Sequence, residues 1–312
     1  MQLFWSQLLN ITPVFVLIVL GWISGKYLEI KDASPLSKLL LYVFTPILVF
    51  DAINKAPLDV SFVVIPIFFF GVCSAICIGS FLLLSKLWPR QKQTTHILAY
   101  SSGSGNIAFY GVPIALLLFG ESSLAIMSLA IIGFILYDSS VGYVIASGEK
   151  IQPHTVFNKL IKFPPLIAAA VALLLKLLSI HIDPSLHLYS FLLLNSQKTI
   201  ATLGIMLIGI SLANFKFEVD LRYLGYLFIT KFLVWPLAII LLMKVLSAAD
   251  IMDFTGIKEI LVLIATVPVA TNAVILATTF GVKQEKASMG VFVTALASLV
   301  MIPLWQYLLR GM

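Results

Sequence analysis

Ten stretches of this chain are apolar over about the 20 residues that a bilayer core requires of a helix. They cover residues 8–25, 35–54, 62–87, 95–120, 124–147, 163–178, 189–215, 221–246, 257–281 and 287–309. The sixth is short, and Pro164 and Pro165 fall at its start. A segment buried in lipid must satisfy its own backbone hydrogen bonds, so each is read as a helix. Charged residues are only 11% of the chain, against about 25% in a soluble domain. The expectation is an all-α membrane protein of ten transmembrane helices, with the lipid bilayer as its first partner. The net charge of +6 is then a matter of loop topology, and no nucleic acid is expected.

The loops are short, and no soluble domain or long linker is present. Thirteen Lys and Arg residues flank the loops after segments one, three, five, seven and nine: Lys26, Lys31, Lys38, Lys86, Arg90, Lys92, Lys150, Lys159, Lys162, Lys216, Arg222, Lys283 and Lys286. The other side holds six: Lys55, Lys176, Lys198, Lys244, Lys258 and Arg310. The positive-inside rule puts the first set in the cytoplasm and both termini outside. The N-terminus lacks the basic region of a cleavable signal, and residues 14–23 simply begin the first helix. An odd number of helices per half inverts the second half. Residues 1–147 and 163–312 therefore read as inverted five-helix repeats joined by a cytoplasmic loop, 148–162.

Segment four is a poor continuous helix. Its middle reads Ser101-Ser102-Gly103-Ser104-Gly105-Asn106, and Pro113 follows. Interior Gly costs about 1 kcal/mol and Pro about 3 kcal/mol. Segment nine has the corresponding interruption, Pro268 with Asn272 one turn later. Paired interrupted segments in corresponding positions point to a transporter site near the membrane midplane. Pro113 is expected to open the second half-helix of segment four, and Thr271 or Asn272 to cap that of segment nine. Half-helix N-termini favour anions. An Asn amide can contact a carboxylate or satisfy the opened backbone. Ser101, Ser102 and Ser104 either line the path or bond to helix carbonyls.

The chain resembles the auxin efflux carrier family of membrane transporters over nearly its whole length. The resemblance is carried by LLLYVFTPILVF, GNIAFYGVPIALLLFG, LGIMLIGISLA, KFLVWPLAIILL, VPVATNAVILATTFG and VTALASLVMIPLW, in that order. It implies ten helices in two inverted repeats, similar to bile acid symporters and sodium/proton antiporters. It also implies a scaffold of helices 1, 2, 6 and 7 and a transport core of helices 3–5 and 8–10. Helices 4 and 9 then cross at Asn106, Pro113, Pro268 and Asn272. Resemblance to the plant carriers implies a homodimer through the scaffold. Substrate does not carry over, because the family spans auxin and small carboxylates such as malate or malonate.

Two charges fall mid-segment, Asp138 in the fifth and Lys231 in the eighth. An intramembrane ionisable residue is a functional candidate with a partner to be named. The two are expected either to form an ion pair between core helices or to leave Asp138 as a proton-coupling site. The only arginines, Arg90, Arg222 and Arg310, lie at segment ends. With no buried Arg fork, a monocarboxylate held by dipoles and neutral donors is favoured over a clamped dianion. Asp51, Glu121 and His96 read as interfacial and solvated. Trp22, Tyr27, Trp88 and Trp305 read as interface anchors. Cys73 and Cys77, one turn apart and without Cys or His neighbours, pack and bind no metal; no cofactor is expected.

The function expected is a secondary carrier moving a small organic anion by alternating access at the crossing of helices 4 and 9, in the plasma membrane, most simply a bacterial inner membrane. The alternatives are a proton- or sodium-coupled dicarboxylate permease, a channel, or a membrane protein that does not transport. Proton coupling is preferred to sodium, since no acidic ligand stands beside either break. An enzyme is disfavoured: there is no HExxH motif and no nucleophile–base pair.

Overall fold

The computed structural model describes residues 2–30, 33–55, 59–148, 158, 161–180, 182–183, 186–213 and 219–309. The connecting loop 148–162 falls mostly outside them, as do Lys31, Lys150, Lys159, Lys216 and Arg310. Among the described residues all regular structure is helical. In chain order the helices are α1 Gln2–Tyr27, α2 Ser34–Lys55, α3 Ser61–Leu87, α4 Lys92–Gly103, α5 Ile107–Phe119, α6 Ser123–Ser147, α7 Pro164–Leu177, α8 His187–Ala213, α9 Leu221–Ala248, α10 Lys258–Thr266, α11 Asn272–Thr279 and α12 Gln284–Leu309. Seven of these are long and apolar enough to cross a membrane, and α4 with α5 makes an eighth, bent by 41° at its break. The sixth and ninth apolar segments appear as the 14-residue α7 and as the separate pair α10 and α11.

Small residues set the closest packing. A Cβ added to Gly21 of α1 would stand 2.1 Å from Met206 O, and one added to Gly209 of α8 would stand 2.0 Å from Ile18 O. The α1 and α8 backbones therefore touch, as small residues permit between membrane helices. Helix α2 lies against α7, whose Lys176 ammonium donates to Ile53 O at 3.1 Å and Asn54 O at 2.9 Å. That lysine satisfies the last carbonyls of α2. On the other side, α3 packs against α4 and α6, and α9 against α10 and α12.

Four helices contain a single π-turn: Leu40–Phe44, Ile107–Gly111, Asp138–Gly142 and Thr230–Val234. Three of these are followed two residues on by a proline, Pro46, Pro113 or Pro236. Proline removes an N–H and its ring crowds the carbonyl four residues back. The π-turn is the local adjustment that accommodates it in a spanning helix. The carbonyl that Pro236 leaves without its donor finds another, as Trp305 Nε1 donates to Phe232 O at 2.8 Å. Before Pro46, Thr45 Oγ1 adds a second donor, at 2.9 Å, to the Leu40 O that already accepts from Thr45 N. Trp305 is thus a buried partner of α9 rather than the interface anchor expected. Asp51 also departs from expectation. It is 3% exposed and accepts from Tyr189 Oη while its carboxylate pairs with Lys55 at 2.9 Å. His96 is half-buried, bonded through Nδ1 to Ile145 O and set against Phe81.

Asp220 starts α9, accepting from Arg222 N at 3.0 Å and Tyr223 N at 3.2 Å, and Lys286 of α12 donates to it at 2.8 Å. Burial pushes its carboxyl up, but Lys286 and the two N–H groups more than offset this and leave it below the usual carboxylate value.

Candidate functional site

The two broken segments meet at their breaks. Helix α4 ends at Gly103, Ser104 is extended, and Asn106 caps α5. The run of Ser, Gly and Asn costs little to leave helical geometry. In the other segment Val267 is extended, as expected of a residue before proline. The crossing is closed by one backbone hydrogen bond, from Asn106 N to Pro268 O at 2.8 Å. Val269 N finds Thr294 Oγ1 of α12 at 3.2 Å. These backbone groups at the breaks are satisfied by protein, as a break at membrane depth requires.

Asn106 does two things. Its Oδ1 accepts from Phe109 N at 3.3 Å and its carbonyl accepts from Gly111 N at 3.0 Å, which together start α5. Its Nδ2 is buried and has no hydrogen-bond partner. The break lies at Ser104–Asn106, so Pro113 does not open the second half-helix as expected. Asn106 does so, and Pro113 sits within α5 behind the π-turn that accommodates its ring. In the other segment Thr271 holds the N-cap position without a side-chain cap bond, and Asn272 is the first helical residue.

The C-terminal end of α4 is held by α9. Trp235 Nε1 donates to Ser102 O at 2.7 Å and Lys231 Nζ to Ser104 O at 2.8 Å. Lys231 is 0% exposed, and its ammonium lies 4.4 Å from the centroid of the Trp235 ring. A cation at a helix C-terminus and over an aromatic face is favourable in both respects. Lys231 therefore does not form the ion pair with Asp138 that was one of the two arrangements expected. Asp138 takes other partners: Tyr100 Oη donates to Oδ1, and Asn272 Nδ2 donates to Oδ2 at 3.0 Å. Tyr137 Oη, donating to Tyr100 O at 2.8 Å, fixes the backbone that carries Tyr100. Ser101 and Ser102 bond back to carbonyls four residues earlier, and the fully buried Ser104 hydroxyl donates to Ser101 O at 3.1 Å.

A cavity of about 900 Å³ is lined by Ser37, Lys38, Asp138, Ser139, Lys162 and Asn272 among others. A second, of about 80 Å³, shares Asp138, Ser139 and Asn272 and reaches Gly105, Asn106 and Thr271 at the crossing. A third, of about 360 Å³, lies along α11 and is lined by Thr271, Thr278, Ser211, Gln284 and Ser288. The structure thus brings Asn106, Thr271, Asn272 and Asp138 to one space. Pro268 holds the crossing, and Ser104 and Lys231 lie behind it. Tyr100 and Trp235 were not singled out from the sequence. Trp235 stands one turn after Lys231, a spacing that shares a helix face, but its acceptor is 133 residues away in the chain.

A helical membrane protein whose two interrupted segments cross beside a cavity that a few polar side chains line has the build of a transporter. The chain belongs to the auxin efflux carrier family: the family described as membrane transport protein matches residues 7–306. It is 26% identical over 307 residues to an uncharacterized transporter of Methanocaldococcus jannaschii, covering 95% of this chain and 96% of that one. It is 24% identical over 322 residues to an uncharacterized transporter of Escherichia coli K12, covering 96% and 97%. A Rhizobium meliloti protein named "Putative malonate transporter" is 24% identical over 319 residues, covering 96% and 95%.

Proposed function

We infer that this protein is a secondary active carrier that moves a small organic anion of the carboxylate class by alternating access, with its site at the crossing of α4–α5 and α10–α11. The observation that carries this reading is the unpartnered, buried Asn106 amide beside a small, mainly apolar cavity that Asn272, Thr271 and Asp138 also line. An amide N–H₂ with a half-helix N-terminus beside it suits a carboxylate. Lys38 and Lys162 line the larger space, where they attract an anion without binding it as a rigid fork does. The R. meliloti relative makes malonate the first candidate.

The pairing of helices supports the inverted repeat, with residues 1–147 and 163–312 as its halves. Segment one lies along segment seven, and segment two along segment six. Exchanging the halves maps each of these pairs onto the other. Gly120 and Gly281, both at positive φ, end α5 and α11 at matching Phe-Gly positions. In this reading segments 1, 2, 6 and 7 form the scaffold, and the remainder moves against it. The scaffold is also the surface for a homodimer. The termini face out, and the large cavity opens to the cytoplasm.

Asp138 lines the same cavity as Asn106, which favours proton coupling over sodium coupling or uniport. The test is uptake of labelled malonate by proteoliposomes. A carrier gives saturable flux and accelerated counterflow when unlabelled malonate is inside, and Asn106→Ala and Asn272→Ala lose both while remaining folded. Linear, unsaturable flux with no counterflow would replace the carrier with a channel.

A further inference from the structure

Asn272 offers its amide hydrogens to the space at the crossing, and one of them is already taken by a carboxylate, that of Asp138. Asn106, on the other wall of the same small cavity, has an amide with no partner. The site has thus bound half of an anion-like arrangement from its own chain. We propose that Asp138 is an internal competitor for the transported carboxylate: it holds Asn272 while ionised and releases it when protonated, so proton and anion are bound together. This rests on the reading of the crossing as an anion site.

The chemistry follows from charge. An ionised Asp138 holds the Asn272 amide through a charge-assisted hydrogen bond, the stronger kind. Its negative charge also opposes a second carboxylate in a space of about 80 Å³, because like charges sharing a site cannot both remain ionised cheaply. A proton taken from water in the large cavity onto Oδ2 removes both obstacles. The new O–H directs a hydrogen at the Asn272 amide, which turns toward the incoming anion. The substrate carboxylate then accepts from Asn272 and from Asn106. On release the proton returns to water and Asn272 returns to Asp138.

The other ionisable groups around Asp138 do not serve as this switch. From α4, Tyr100 donates to it, and His96 is bonded to Ile145 O. From α3, Cys73 and Cys77 are wholly buried. Tyr137, on the same helix, is engaged with Tyr100 O, and Tyr143 packs edge-on against Phe280. Lys231 of α9 is held by Ser104 O. Lys38 and Tyr42 of α2, with Lys162, line the large cavity, where the two lysines supply positive charge. Helix α11 contributes no titratable side chain.

The experiment measures binding of malonate, and separately of pyruvate, to nanodisc-embedded protein. Wild type gains about tenfold in affinity for each pH unit lowered between about pH 8 and pH 5.5, after correction for the probe's own titration, as one linked proton requires. Asp138→Asn is flat over this range and binds at the high end as tightly as wild type does at the low end. If Asp138→Asn fails to fold, the wild type decides: in weak buffer it takes up about one proton per anion bound. A wild-type slope in folded Asp138→Asn, or binding without proton uptake, overturns the proposal and leaves the anion site standing. No binding of either probe at any pH overturns the anion site itself and the proposal with it.

Discussion

Lys231 places an ammonium in the protein interior and spends it on a helix end. Ser104 O and the carbonyls before it carry the negative end of the α4 dipole, which falls off within the last turn. Replacing Lys231 with Met keeps the apolar stem but leaves a buried acceptor unsatisfied, at a cost of roughly 1–3 kcal/mol. Thermal unfolding of the detergent-solubilised Lys231→Met protein should show that loss. The more discriminating measurement is a double-mutant cycle with Asp138→Asn. Because the two residues take different partners, their effects should add to within about 0.5 kcal/mol; a strong coupling would restore the ion pair. This is also where the sequence was least legible. Two opposite charges at mid-segment invite pairing, and nothing local shows that a carbonyl on another segment is the lysine's true acceptor. Asn106 and Asn272 were legible because breakers and amides occur together in both segments. That Asn106 caps with its oxygen while its nitrogen is buried without a partner needed the fold.

At the scale of helices, the apolar segments were readable because lipid imposes length and hydrophobicity on each one. Their internal irregularities were not. Pro113 read as the start of a half-helix because a first-turn proline loses no hydrogen bond, yet a π-turn absorbs it within α5, as happens again before Pro46 and Pro236. Close packing was legible only as a supply of glycines. The structure separates those that matter. Gly209→Ala puts a methyl group 2.0 Å from Ile18 O, a backbone atom that cannot step aside, so α1 and α8 must part. The expected loss is about 1–3 kcal/mol, the usual cost of overpacking. Gly225→Ala in α9 meets nothing within 4 Å, and gains up to about 1 kcal/mol from helix propensity alone. Melting temperatures of the two variants should therefore move in opposite directions. An unchanged or raised melting temperature for Gly209→Ala would mean that α1 and α8 are not in backbone contact.

For the molecule as a whole, the distribution of empty space decides which side reaches the site. The large cavity carries Lys38 and Lys162 on its lining, and both belong to the set of basic residues that the positive-inside rule assigns to the cytoplasm. Asp138, Ser139 and Asn272 line this same cavity, so under the proposed orientation the site is reached from the cytoplasm, and the proposed alternating access requires a second state in which that route is closed. Cys73 and Cys77 are both 0% exposed, so a single introduced thiol can report access against a low background. Ser139→Cys should react with a membrane-impermeant maleimide in inside-out vesicles and stay unlabelled in right-side-out ones. Malonate should slow the reaction, because the occupied crossing lies at the inner end of the same space. Labelling from the right-side-out face alone would invert the orientation and place the termini in the cytoplasm. Equal labelling from both faces that malonate does not slow would mean a continuous pore, and the two cavities at the crossing would then be parts of a channel rather than the access route of a carrier.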